Sequence, residues 1–435
     1  MPPSMTEEAR AQAFQQQQQE FVEKPAGEVQ QAKASSDKPW LEAKKRQRAD
    51  LKVRWMFLGS ALLGVAAVVA MMVVTALNTM KDKHNYCLVL EDHFDQGKIN
   101  TDVWSHEQQT GGWGTGEFEW TTDSANNSFV RNNQLYIVPT LTSDMTGEAA
   151  IADGYSLNLT DSGACTSANK SDFYCAVRSN ASTGIILPPV QSARLTTKIS
   201  GKTIRFGKVE VTARMPTGDW IWPAVWMMPS KEVYGPWPAS GEIDIFEGKG
   251  NPSRSRQDDL SSRMTSTMHW APLPALDRYA LTNGHLNLFQ NLWNQKMHTF
   301  GLEWTPKKLV TWQRTRAYEV FSYKFGTDFW TKGNFPSSLE NGTTLENPWT
   351  KSNGANIVDV APFDQDFYLI LSVAVGSTNG WFQDSDSPDG KPWSDQSKNP
   401  QRDFWSARDQ WLPTWPTKVE DRAMVIDSVK IWQQC

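Results

Sequence analysis

Residues 55–77, WMFLGSALLGVAAVVAMMVVTAL, run for 23 positions without a charged side chain. As a helix rising 1.5 Å per residue they reach about 35 Å, enough to cross a bilayer core of about 30 Å. A signal peptide has a shorter apolar region, about 7–15 residues, placed nearer the N-terminus, so the run predicts an uncleaved transmembrane signal anchor. It divides the chain into a tail (1–54), a span (55–77) and a large zone (78–435). The tail holds five consecutive glutamines at 15–19 and almost no aromatic or β-branched residues beyond Phe14, Phe21 and Trp40. Such a composition buries too little apolar area to offset chain entropy and predicts disorder.

Charge sets the orientation. Lys44, Lys45, Arg46, Arg48, Lys52 and Arg54 precede the span, whereas only Lys81 and Lys83 follow it closely. Basic residues stay on the cytosolic side, so the expected topology is type II, with the tail cytosolic and residues 78–435 lumenal or extracellular. All four cysteines fall after the span, as do the Asn-x-Ser/Thr sequons at Asn126, Asn158, Asn169, Asn180 and Asn341. That partition suits an oxidising, glycosylating compartment. Four cysteines allow three connectivities; the favoured one pairs Cys165 with Cys175, near neighbours, and Cys87 with Cys435, tying the ends of one domain together.

The large zone reads as strands. Apolar or alternating runs such as GKVEVTARM, STMHWA, HTFGLEW, LVTWQR, FYLILSVAV and AMVIDSVKIW are separated by Gly, Pro, Asn and Asp clusters. With no recurring amphipathic helix between them, a many-stranded antiparallel sandwich is expected rather than an α/β fold. The formal charge is -5, from 43 Lys and Arg against 48 Asp and Glu, which argues against a nucleic-acid partner. No cysteine or histidine spacing forms a metal-ligand set. The 21 tryptophans fit either an indole-rich core or a ligand that stacks on flat rings, such as a sugar.

The most specific stretch is Gly-Glu-Ile-Asp-Ile-Phe-Glu at 241–247. On a regular strand Glu242 and Asp244 share a face while Glu247 points away. A β-bulge absorbing one residue between Asp244 and Glu247 would bring all three acids to one face. Three carboxylates in a row repel, a burden that a purely structural strand has no reason to carry. The outer pair would then stand about 13 Å apart along the backbone, and side chains leaning inward by about 4 Å each leave about 5 Å between carboxyls. That spacing belongs to retaining glycoside hydrolysis, in which one carboxylate attacks the sugar and the other protonates the leaving oxygen.

This run, with WPASG before it and GKGN after it, resembles glycoside hydrolase family 16, in its laminarinase-like β-glucanase branch. The similarity continues in WIWPAVWMMP (220–229), MHW (268–270), FGLEWTP (300–306), YLILSVAVGSTNGWF (368–382) and DFWSARDQWLPTW (403–415), in family order. The resemblance implies a jelly-roll β-sandwich with a glycan cleft, acting on β-1,3-glucan or mixed β-glucan by hydrolysis or transglycosylation. It assigns Glu242 as nucleophile, Glu247 as acid/base and Asp244 as the assisting carboxylate between them. Trp222, Trp226 and Trp237 match cleft tryptophans, and His269 a histidine able to touch the acid/base. Segments 251–294 and 379–403 would supply the cleft walls. No cofactor is implied; of a convex-side calcium site found in some relatives, Asp427 fits but His93 stands where an acid is expected, and calcium is not expected. The N-terminal anchor resembles fungal cell-wall members of the family that act in β-1,6-glucan assembly. The competing reading is a non-catalytic β-glucan-binding or cell-wall assembly protein.

Overall fold

The computed structural model describes residues 39–81, 84–252, 260–288, 291–350 and 359–435, and the chain divides into an N-terminal unit and a second one spanning His84–Cys435. In the first unit a single helix, α1, runs from Pro39 to Lys81. Its stretch Arg46–Val74 is long and apolar enough to cross a membrane, and large side chains there, Leu63 and Met72 among them, are exposed. An apolar helix with its side chains exposed suits lipid and not a protein core. The helix starts before the uncharged run. Residues 39–54, expected to belong to a disordered tail, are helical, because Leu, Glu, Ala, Lys, Arg and Gln dominate there and all favour helix. Residues 1–38 of that expected tail lie outside the described residues.

The second unit is a β-sandwich of the jelly-roll class, built on two eight-stranded sheets. One sheet carries β1 (Ser105–His106), β2 (Arg194–Thr196), β3 (Thr203–Ile204), β4 (Ile221–Pro229), β5 (Glu242–Gly248), β6 (Arg263–His269), β7 (Asn283–Asn287) and β8 (Phe367–Val375). Its order is β7-β6-β5-β4-β8-β2-β1, with β3 also pairing β8. The pairs within this sheet are antiparallel. The facing sheet centres on Gly207–Arg214, which lies between His298–Trp304 and the long C-terminal strand Met424–Gln434.

Period-two patterning decides what each face does. In Gly207–Arg214 the buried Val209, Val211 and Ala213 alternate with outward Lys208, Glu210 and Thr212. In β4, Ile221, Val225 and Met227 join the core between the sheets, which leaves Trp222, Ala224 and Trp226 on the opposite face. Aromatic contacts join the layers: Phe246 of β5 meets Phe300 at 4.5 Å and Phe367 of β8 meets Trp304 at 5.4 Å. Much of the tryptophan content therefore serves the core, with Trp104, Trp220, Trp270, Trp293, Trp304 and Trp411 almost wholly buried. Segment 251–294, expected as cleft wall, instead contributes β6 and β7 to the sheet itself.

Both disulfides form as favoured. Cys87 bonds Cys435, where strand Tyr86–Asp92 pairs the C-terminal strand, and Cys165 bonds Cys175 across ten positions. Of the sequon asparagines, Asn126, Asn169, Asn180 and Asn341 are exposed and Asn158 is half-buried.

Candidate active site

The carboxylates sit on β5, and the register of its neighbours shows how. Against β6, Asp244 pairs with Thr267 and Glu247 with Thr265, so three steps on β5 match two on its partner. Against β4, Asp244 pairs with Trp226 and Phe246 with Val225, which leaves Ile245 as the extra residue. This is the expected bulge. Its local cause is apolar: Ile243, Ile245 and Phe246 are all fully buried in the core. A regular strand could not send adjacent Ile245 and Phe246 inward together. The bulge satisfies both and turns Glu247 back to the face of Glu242 and Asp244. Gly241, at φ 81°, enters the strand by a backbone conformation that favours glycine.

The three acids have different surroundings. Asp244 is almost completely buried, while Glu242 and Glu247 are half-buried. Trp237 donates its indole N–H to Glu242 at 2.5 Å. Trp222 donates likewise to Glu247 at 3.2 Å. Burial, reinforced by the charge of Asp244, pushes the Glu242 carboxyl up to about 8. The same two causes, in the same order, hold the Glu247 carboxyl well above the ordinary range. Opposite Glu242 across the strand pair stands His269. Its Nε2 lies 3.2 Å from Asp244 and its Nδ1 2.5 Å from Asp277. Burial alone would lower its pKa, but the bonds to these two carboxylates outweigh it and hold the imidazole well above its usual value. The site thus sets two carboxyls with raised proton affinity beside an imidazole held between two acids, an arrangement suited to donating and accepting protons.

The expected ligand residues all reach this face, with altered roles. Trp237 is 37% exposed and free to meet a ligand. Trp222 is stacked on Trp381 at 4.8 Å, so one of its faces is taken. Trp226 donates to Ser372, and Arg194 lies 4.4 Å over its ring. His269 turns its nitrogens to Asp244 and Asp277 rather than to Glu247. Asp277, Tyr279, which stacks on His269 at 5.4 Å, and Trp381 were not singled out in the sequence. Asp277 sits on a turn with no periodic signal, and only the fold reveals its partner. Glu242, Asp244 and His269 could offer one metal-ligand atom each within 4.8 Å of one another. Both imidazole nitrogens are already committed to carboxylates, however, and the group reads as an acid-base cluster. On the other sheet Glu91 is ion-paired with Lys430 and hydrogen-bonded to His93, and Asp427 accepts from Gln134.

Comparison with known proteins places the chain. A family model described as Glycosyl hydrolases family 16 matches residues 165–324, which include all of β5. Over 362 residues the chain is 38% identical to a beta-1,3-glucan-binding protein of Penaeus monodon, covering 80% of this chain and 90% of that one. The chain belongs to glycosyl hydrolase family 16. A second protein similar to this family-16 chain, the beta-1,3-glucan-binding protein of Tenebrio molitor, is 31% identical over 340 residues, covering 78% of this chain and 64% of its own length. Among solved structures, the laminarinase of Rhodothermus marinus superposes with a TM-score of 0.47 at 22% identity, covering 81% of this chain and 99% of that one.

Proposed function

We propose that the family-16 domain is a retaining endo-β-glucanase or transglycosylase that cuts β-1,3-linked or mixed β-glucan through a covalent glycosyl-enzyme intermediate. The observation that carries this is the bulged β5, which presents Glu242 and Glu247 on one face with Asp244 between them. Their partners on β6, His269 and Thr265, are four residues apart, about 13 Å along a strand. Side chains inclined toward each other close that distance to the range of a retaining pair. In the first step Glu242, its proton lost to solvent, attacks the anomeric carbon as a carboxylate while Glu247 gives its proton to the departing oxygen. In the second, Glu247 takes a proton from water, or from a hydroxyl of another glycan, and that oxygen displaces Glu242. Asp244 lies within reach of His269 and between the two glutamates, and its proximity raises the proton affinity of each. Trp237 offers its exposed face for stacking on a pyranose.

The names of the two curated relatives favour a second reading, glucan binding without turnover. Neither relative is fungal, and the cell-wall assembly reading draws support only from the apolar helix α1. The two readings part on one experiment. Full-length protein in detergent should release reducing ends from laminarin, and Glu242→Gln should lower the rate by at least a thousandfold while glucan is still retained. Equal retention with no release by either form would establish the binding reading.

A further inference from the structure

Away from the carboxylates, the second unit holds a cavity of about 290 Å³. That is the small end of ligand pockets and suits one or two sugar residues. It lies between the arm closed by Cys165–Cys175, the loop of residues 110–118, and residues 398–402 ahead of and within the helix Pro400–Ser406. Neither Glu242, Asp244 nor Glu247 lines it.

Its chemistry points to a polyhydroxyl ligand. Thr110 lines it from the inner side and is itself more than nine-tenths buried. Glu117, Asn399 and Arg402 line the same space with acceptor, amide and guanidinium groups. At Gly184 a Cβ would come within 2.4 Å of Arg402 and 3.0 Å of Asn399, so a bare backbone is what lets these polar groups lie along the wall. Phe173, 68% exposed, stands among the lining residues, braced edge-on by Tyr174 at 4.9 Å. The charges do not add to one sign: Lys398 and Arg402 are met by Glu117 in the wall and by Asp403, 3.4 Å from Arg402. An anion site would show an uncompensated positive wall. Mixed donors and acceptors around an exposed aromatic ring suit a neutral pyranose.

We propose that this cavity is a second saccharide site, distinct from the carboxylate cleft, that takes one or two neutral pyranose residues. Two sources share that chemistry. One is an external glucan chain; the other is the protein's own N-glycan, since the exposed sequon asparagines Asn169 and Asn180 lie within five residues of Phe173 and Ile185 in the lining.

The test is calorimetric titration of the full chain in detergent with a β-1,3-linked glucose trisaccharide, on a Glu242→Gln background that prevents turnover, before and after enzymatic deglycosylation. We expect a binding event that Phe173→Ala and Arg402→Ala each remove and that Trp237→Ala leaves in place. An event present before deglycosylation identifies an external glucan as the ligand, and one that appears only afterwards identifies the chain's own glycan. Absence from both forms of any event sensitive to Phe173→Ala and Arg402→Ala overturns the proposal. Failure of the cleft reading alone would instead remove the Trp237-sensitive event and leave this one.

Discussion

At the residue scale the decisive feature is that burial and a shared charge lift the two glutamates, while indole N–H groups reach each of them. Because Asp244 is a named cause of both shifts, Asp244→Asn should move the acid limb of the kcat/KM profile to lower pH, by about one unit, with burial holding the rest of the shift. The same shift bears on stability. A carboxyl whose folded pKa exceeds its unfolded value binds more protons when native between those values, so stability falls as pH rises through that window. For Glu242 the window runs from the ordinary carboxylate range to about 8. Glu242→Gln should therefore stabilise the fold more at pH 8 than at pH 5, by a difference of about 1–3 kcal/mol, read from paired denaturant titrations. An equal effect at both pH values would refute the assignment. Roles can be separated with an activated aryl glycoside, whose leaving group needs no proton. Glu247→Ala should still form the intermediate and then stall, and added azide should restore turnover as a glycosyl azide of retained configuration. An inverted azide product would reassign Glu247 as the nucleophile.

At the scale of elements, β5 shows how a three-carboxylate motif and a core strand occupy the same seven residues. Phe246 is fully buried against Phe300 and near Trp293, and the bulge that admits it also turns Glu247 outward. Phe246→Ala should cost about 3–5 kcal/mol in chemical denaturation. Deleting Ile245 leaves Glu-Ile-Asp-Phe-Glu, in which a regular strand already puts the three acids on one face and Ile243 and Phe246 on the other; a folded deletion variant should therefore keep activity, and loss of activity with the fold intact would show that the bulge itself is required. This element was legible in the sequence because repulsion among three acids and the period of a strand are both local facts. The setting of His269 was not. Its nitrogens go to Asp244 on the neighbouring strand and to Asp277 on a turn, and a pairing that depends on strand register leaves no spacing signal. Likewise the sequence marked Trp222 and Trp226 as free stacking faces, whereas Trp381 and Arg194 each cover one face from other elements.

At the scale of the whole chain, sequence patterning marks out an apolar helix and a β-sandwich, and the described helix and strands follow that division apart from the earlier start of α1. Tryptophan content pointed two ways; the described indoles divide between the core and the face that carries the carboxylates, in β4 according to strand parity, which bare composition does not contain. An apolar helix and two disulfides fit a secretory route. If the type II orientation holds, protease added to sealed microsomes should remove only about the first 50 residues, while glycosidase treatment of the opened vesicles should shift the remaining chain. Protection of the N-terminus with loss of the sandwich would overturn the orientation and the glycosylation of all five sequons together. The Cys87–Cys435 bond gives a sharper test, since it closes a sequence separation of 348 residues between strand Tyr86–Asp92 and the C-terminal strand. Constraining so long a loop stabilises by about 6 kcal/mol on the chain-entropy account, an upper-end figure because residual structure in the unfolded chain reduces it. The C-terminal strand also pairs Gly207–Arg214 at the centre of its sheet, so releasing its end exposes the core along a whole edge rather than fraying one terminus. Cys435→Ser should therefore lower the melting temperature by several degrees, and more than Cys165→Ser, whose bond closes only ten positions. Equal losses for the two variants would mean that the stabilisation does not come from loop closure.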